Sequence, residues 1–394
     1  MPESNSSKGN LSPLMSTDLV SRSQTVRRWF YWVWKNLSSG FDWLFGLVII
    51  LVGLSILATI PVIQFLSLGY LLESSGRIVR TGNLRAGFVG IRKAARVGSL
   101  VVGTWLALLP ARLVSSFWYS SYLLNGPSRQ ATVWRIVLVV VIVLTAIHVL
   151  WAWFRGGRLR HFIWPAPLRF CRCLRAGGMY QQARDATCNF LESLHLSHYF
   201  MLGVKGFVAA AIWLSVPVTL LVLASRVAVS LGVFCGFVGT ILFAAVLLYL
   251  PFLQGRFGAT NRFGAMFELR EIRRRYQAAP FAFLIAFSMT LLFALPLYLL
   301  KAELVPREAA WLPSLVFVLF MFPARLATGW ALARAQKREL PRHFLFRWTA
   351  WFAMLPVVGF YVLIVYFTQY VSWYGGLSLY EQHAFLLPVP FLGL

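Results

Sequence analysis

Residues 41–72 read FDWLFGLVIILVGLSILATIPVIQFLSLGYLL. The stretch holds a single charge, Asp42, at its start, so it is apolar enough for lipid, but Pro61 divides it. Proline has no backbone N–H and clashes with the preceding turn, so a helix kinks or ends there. Thirty-two residues of helix would reach about 48 Å, against a hydrocarbon core of about 30 Å. That is enough for one crossing and a half and too little for two full ones. The stretch therefore either crosses once or folds back at Pro61 as a re-entrant hairpin, and this choice decides the topology.

Further along the chain, seven apolar runs have span length: Gly98 to Trp118, Val133 to Trp153, Met201 to Ala224, Val227 to Phe252, Pro280 to Leu300, Trp311 to Ala331 and Trp348 to Tyr370. The composition agrees. Of 394 residues 59% are apolar and 12% charged, with a mean hydropathy of +0.70, whereas a soluble surface needs roughly 25% charged residues. The expected fold is all-α, a polytopic transmembrane helical bundle of seven or eight spans with basic amphipathic interfacial helices between them.

Charge sets the orientation. There are 37 Lys+Arg against 12 Asp+Glu, a net +25, and 31 of the 37 are arginine. Four segments between spans hold 24 of them. These are Arg77 to Arg96, Arg155 to Arg184, Arg256 to Arg275 and Arg334 to Arg347, and the alternate loops are poor in charge. Positive loops stay in the cytoplasm, so the four segments are expected on that face. The tail adds Arg22, Arg27, Arg28 and Lys35 just before residue 41. A hairpin turning at Pro61 keeps tail and first basic loop on one side, and we take the N-terminus to be cytoplasmic.

Residues 1–40 read as a disordered Ser/Asn-rich tail ending in an interfacial segment in which Arg27 and Arg28 anchor Trp29, Phe30, Trp32 and Trp34. No signal-peptide pattern opens the chain. Residues 41–371 form the multi-span domain, and 372–394, with Trp373, Tyr374, Tyr380, Phe385, Pro388 and Pro390, form an aromatic tail suited to the outer interface.

One pattern recurs within the domain. Gly69-Tyr70, Arg77, Arg80, Phe88 and Arg96 lead to Leu109-Pro110. Arg256, Arg262, Phe267 and Arg275 lead to Leu295-Pro296, with eight residues from Phe to the last Arg in both copies. On a helical wheel Phe263, Met266, Phe267 and Ile272 oppose Arg262, Arg270, Arg273 and Arg274. Such a helix lies in the interface with its arginines at phosphate level. It serves either as a plain anchor or as a site for anionic lipid or substrate. The residues singled out for that contact are Arg92, Lys93, Arg96, Arg270, Arg273, Arg274 and Arg275.

Chemistry inside the spans is sparse. None of the seven runs holds an Asp or Glu, and Glu73 falls at an edge; coupled pumps commonly need an intramembrane carboxylate. The intramembrane polar candidates are Gln64, Arg112, His148, Lys205 and Arg325. Arg112 and Arg325 both sit in Pro-Ala-Arg-Leu, where the arginine either satisfies carbonyls freed by the proline or snorkels to the interface. His148 reads as a hydrogen-bonded interior residue. Cys171, Cys173, Cys188, His195 and His198 hold thiolate and imidazole together, with the two histidines three apart on one helix face. Seven arginines in the same loop oppose a dication, so we expect no metal, and no cofactor motif appears. The basic loops face the anionic leaflet, which makes lipid headgroups the expected partner and nucleic acid not.

Asp42-Trp43-Leu44, Ile60-Pro61-Val62, Leu68-Gly69-Tyr70-Leu71, Arg77 to Arg80, Gly82 and Gly87-Phe88 resemble the start of the bacterial multi-span family catalogued as domain of unknown function 4013. Phe263 to Phe283 resembles its later part. The resemblance implies a bacterial inner-membrane protein without an assigned activity and brings no active-site residues. The expected function is that of a non-enzymatic protein that organises lipid or partners through its basic face. The alternative is a transporter or flippase-like protein for an anionic or lipid substrate.

Overall fold

The computed structural model describes residues 39–166, 169, 172, 175, 179–299, 311–338, 340–371 and 378–381. Among these there are helices and no strand. They are α1 (Ser39–Thr59), α2 (Gln64–Thr81), α3 (Ile91–Asn125), α4 (Arg129–Phe154), α5 (Leu159–Ile163), α6 (Met179–Ser193), α7 (Leu196–Ala224), α8 (Val229–Thr260), α9 (Leu269–Ala278), α10 (Pro280–Leu299), α11 (Trp311–Gln336), α12 (Phe344–Val371) and α13 (Ser378–Glu381). Short 3₁₀ turns cover Leu84–Gly87 and Phe263–Phe267.

Seven helical segments are long and apolar enough to cross a membrane: α1, α3, α4, α7 with the run before it from Arg184, α8, α11 and α12. Helix α10 qualifies only together with α9, from which it bends by 115°. Six of the seven runs expected from the sequence thus lie on span-length helices, and the run from Pro280 lies on α10. The N-terminal tail before residue 39, residues 300–310 and nearly all of the C-terminal tail lie outside the described residues. Of that tail, α13 docks on the bundle. Leu379 is buried, and the Tyr380 hydroxyl donates to Thr219 Oγ1 at 2.6 Å.

The decisive stretch is a hairpin. Helix α1 stops at Thr59, residues 60–63 turn with Val62 at φ 69°, and α2 starts at Gln64. The Ser67 hydroxyl donates to the Leu54 carbonyl at 2.9 Å, which only a chain doubled back on itself permits. The turn meets its own backbone needs. Ile63 N–H donates to Pro61 O, Gln64 N–H to Ile60 O and Phe65 N–H to Val62 O, as a turn away from water must. The second arm outruns the apolar stretch, because α2 continues through Glu73, Arg77 and Arg80 to Thr81.

Register measures how far the hairpin reaches. A side chain at Gly69 would meet the Tyr199 carbonyl, and one at Gly203 would meet the Phe65 carbonyl. Helices α2 and α7 are therefore antiparallel, with the turn beside the first third of α7. The remaining two thirds of α7 run past the turn, so α2 does not cross the bundle. Close approach recurs on its other faces: Gly76 against Gly258 of α8, and Gly329 of α11 against Ser75. Small residues let backbones touch where lipid offers no hydrophobic drive for association. Helix α2 is the hub, buried from Ser67 to Gly76 against α7, α8 and α11.

The sequence repeat has a structural counterpart. Helix α2 ends at Gly82 with φ 68°, its N–H bonded to Ile78 O; α8 ends at Asn261 with φ 52°, its N–H bonded to Phe257 O. Glycine and asparagine are the residues that accept this left-handed cap. An extended residue follows, Asn83 or Arg262, then a 3₁₀ turn that Phe88 follows in the first copy and Phe267 closes in the second. From Gly82 and Asn261 to Phe88 and Phe267 the two copies lie 179 residues apart. They diverge afterwards: α3 runs on to Asn125, whereas α9 breaks at Ala279 before α10.

The single amphipathic helix expected over 263–276 is not formed. Residues 263–267 are a 3₁₀ turn, Glu268 is non-helical and α9 begins at Leu269. Of its apolar face, Met266 and Ile272 are buried in the protein, and only Phe263 and Phe267 remain exposed. Cap geometry at the end of α8, rather than the wheel, governs this segment.

Candidate functional site: the arginine-rich end

Hydrogen bonds between distant loops gather the basic segments at one end of the bundle. Arg80 donates to Gly258 O at 2.9 Å and Ala259 O at 3.1 Å. Lys93 Nζ reaches Ser193 O at 2.5 Å and Lys337 Nζ reaches Gly82 O at 3.2 Å. The Tyr276 hydroxyl donates to Arg347 O at 2.6 Å, and Arg342 N–H to Gln277 O at 2.9 Å. The first, third and fourth basic segments, with the end of α6 that follows the second, therefore share one face. Helix α1 starts on that face as well.

Three glutamates organise much of this charge. Glu73, nearly buried, accepts from Arg77 Nε at 2.8 Å and Arg80 at 2.5 Å, with His198 Nε2 at 3.6 Å. It lies at the edge of an apolar run, and its spacing of four and seven residues to Arg77 and Arg80 on one helix is the sequence signal for this cluster. Glu268 accepts from Arg256 Nε at 2.7 Å and Arg262 at 3.0 Å. The hydrogen bond from Arg256 holds the Glu268 carboxyl below its ordinary value, and Arg262 adds to the effect. Glu271 gathers Arg256 at 3.2 Å, Arg274 at 2.8 Å and Arg275 at 2.8 Å.

The seven expected contact residues accordingly separate. Lys93 is spent on the Ser193 carbonyl, and Arg275, half-buried, on Glu271. These two hold the protein's own loops together. Arg273 is exposed and donates to the Tyr249 hydroxyl at 3.0 Å. Arg274 is exposed on one side of its pair with Glu271. Arg92, Arg96 and Arg270 are exposed and have no hydrogen-bond or ion-pair partner among the described residues.

Beside Arg270 lies a cleft of about 630 Å³ lined by Arg256, Phe267, Glu268, Leu269, Glu271 and Arg274. Its apolar rim continues as an aromatic ledge. Trp213 stacks on Phe267 at 5.8 Å between ring centroids and donates its indole N–H to Met266 O at 3.0 Å, and Phe263 lies 5.8 Å from Phe267. Aromatic rings next to arginine suit the boundary between hydrocarbon and headgroup.

The intramembrane candidates are scattered. Arg325 is 1% exposed, so it does not snorkel; its guanidinium donates to Gln254 Oε1 of α8 at 2.5 Å, and its Nε has no partner. Ser75 Oγ of α2, also buried, has none either. These residues mark the junction of α2, α8 and α11. Arg112, in the same Pro-Ala-Arg-Leu tetrapeptide, is exposed on α3, as is Lys205 on α7. His148 bonds Phe162 O at 2.7 Å, holding α5 against α4, and Gln64 is buried at the start of α2. Within the cysteine-histidine group, the two histidines are not on one helix face as their spacing suggested. His195 has φ 50° and caps α7 from outside, so it shares no helix face with His198, which turns to Glu73. Cys188 is exposed, and Cys171 and Cys173 lie outside the described residues.

No family model matches the chain, and no curated protein or solved structure matches it. It is a multi-pass helical membrane protein on its own features: seven helices of span length among the described residues, and basic segments brought to one end.

Proposed function

We propose that this is a non-enzymatic protein of a bacterial inner membrane, oriented with its arginine-rich end in the cytoplasm, where it engages anionic lipid headgroups and so organises lipid or partner proteins. The observation that carries the reading is the set of exposed arginines without an acid partner among the described residues, Arg92, Arg96 and Arg270, with the rings of Phe267, Phe263 and Trp213 beside the last of them. The likeness of residues 42–88 to the domain of unknown function 4013 family favours the same cellular setting. Surface arginines near an anionic leaflet contribute about 1 kcal/mol each. The test is charge reversal, Arg92→Glu with Arg96→Glu and Arg270→Glu, in nanodiscs of mixed phosphatidylglycerol and phosphatidylcholine. A loss of phosphatidylglycerol preference supports the reading, and an unchanged preference removes it.

A second reading, a transporter or flippase-like protein for an anionic substrate, draws on the buried Arg325 with its unpartnered Nε beside Gln254. An intramembrane cation commonly marks a substrate path. Uptake of a labelled anionic lipid across a proteoliposome, lost in Arg325→Met, is the result that favours this reading over the first.

A further inference from the structure

The two copies of the repeat differ in what covers them. In the first, α1 lies on the segment after the 3₁₀ turn: Trp43 packs edge-on against Phe88 at 5.2 Å, and Gly46 and Ile49 press on Ile91 and Gly98. The equivalent positions 179 residues later are Phe267 for Phe88, Arg270 for Ile91 and Arg274 for Ala95. There the corresponding face is open as the 630 Å³ cleft, and the buried Ile91 is replaced by an exposed arginine with no partner among the described residues.

We infer that this cleft holds the phosphate of an anionic membrane phospholipid, taking the place that α1 takes in the first copy. The inference rests on the proposed engagement of headgroups and narrows it to one site. Arg270 supplies an uncommitted guanidinium, and Arg274, four residues on along α9, a second whose far side is open. Glu268 and Glu271 line the cleft but are already engaged by Arg256, Arg262, Arg274 and Arg275, so they fix the arginines in place and leave the cleft net positive. Phe267 and Leu269 form the apolar wall, and the ledge of Phe263 and Trp213 leads outward from it as a track for an acyl chain. A free phosphate would use the arginines and leave that ledge unused. A lipid uses both.

The experiment is native mass spectrometry on the purified full-length chain in detergent, titrated with phosphatidylglycerol, with a parallel titration in inorganic phosphate. Wild type should retain phosphatidylglycerol at this site, Arg270→Ala should bind it about tenfold more weakly, and Arg112→Ala, at an exposed arginine of α3 away from the cleft, should leave it in place. Arg270 makes no hydrogen bond or ion pair among the described residues, and the circular dichroism of Arg270→Ala should match wild type. Equal retention by wild type and Arg270→Ala overturns the assignment. So does displacement of the lipid by inorganic phosphate, which would make free phosphate the ligand. If Arg270→Ala changes nothing while reversing Arg92 and Arg96 still lowers phosphatidylglycerol preference in nanodiscs, the cleft assignment falls and the broader reading stands; if neither changes anything, both fall.

Discussion

Arg325 of α11 and Gln254 of α8 meet at 2.5 Å in an interior that admits almost no solvent to either. A guanidinium so placed depends on the acceptors it has, because removing one partner strands a buried charge. Gln254→Leu is therefore expected to destabilise the bundle by about 3 kcal/mol, and Gln254→Leu with Arg325→Met by less than Gln254→Leu alone. Thermal unfolding in detergent measures both. A double variant less stable than the single one would show that the pair is not the reason Gln254 matters.

The hub role of α2 rests on missing side chains. At Gly69 a methyl group would run into the Tyr199 carbonyl, which belongs to backbone and cannot swing aside, whereas at Gly53 nothing lies within 4 Å. Gly69→Ala is expected to cost about 2 kcal/mol through forced separation of α2 and α7. Gly53→Ala should be neutral or slightly stabilising, since alanine favours helix. Equal melting temperatures for the two variants would argue against a tight α2–α7 contact.

The carboxyl of Glu268 is held below its ordinary value of 4.5, chiefly by the hydrogen bond from Arg256. A depressed pKa contributes stability above the unfolded value, and that contribution disappears as pH falls through the folded one. Wild type should thus be steady from pH 7 to about 5.5 and lose stability below about 4.5. Glu268→Gln should be weaker at pH 7 and lose less on acidification. Parallel acid profiles for the two proteins would separate Glu268 from the pH response.

The fold-back of Ser67 onto Leu54 places the start of α1 on the same side as the basic loops. Reporter fusions before residue 39 and within 337–343 should read the same compartment, and one within 126–128 the opposite one. A split between the first two would mean that residues 41–72 cross once.

These contrasts show how far the sequence could be read. The apolar runs and the alternation of basic loops sufficed for the helical bundle and for gathering the charge at one end, because both follow from the cost of placing polar groups in lipid. Pro61 marked the hairpin turn. What local pattern could not carry was partnership. Pro-Ala-Arg-Leu occurs twice, yet Arg112 is exposed and Arg325 buried, since only the second faces Gln254 on another helix. Likewise the wheel over 263–276 treated Met266 and Ile272 as lipid-facing. The left-handed cap at Asn261 folds the segment back along α8 and buries them.

The most direct test of a headgroup-binding basic end is the relative association of phosphatidylglycerol over phosphatidylcholine with the reconstituted protein, measured by spin-labelled lipids at low and high salt. A ratio above one that falls with salt, and falls again when Arg92, Arg96 and Arg270 are neutralised to glutamine, is the expected result. A ratio of one at low salt, or one that the three substitutions leave unchanged, would contradict it.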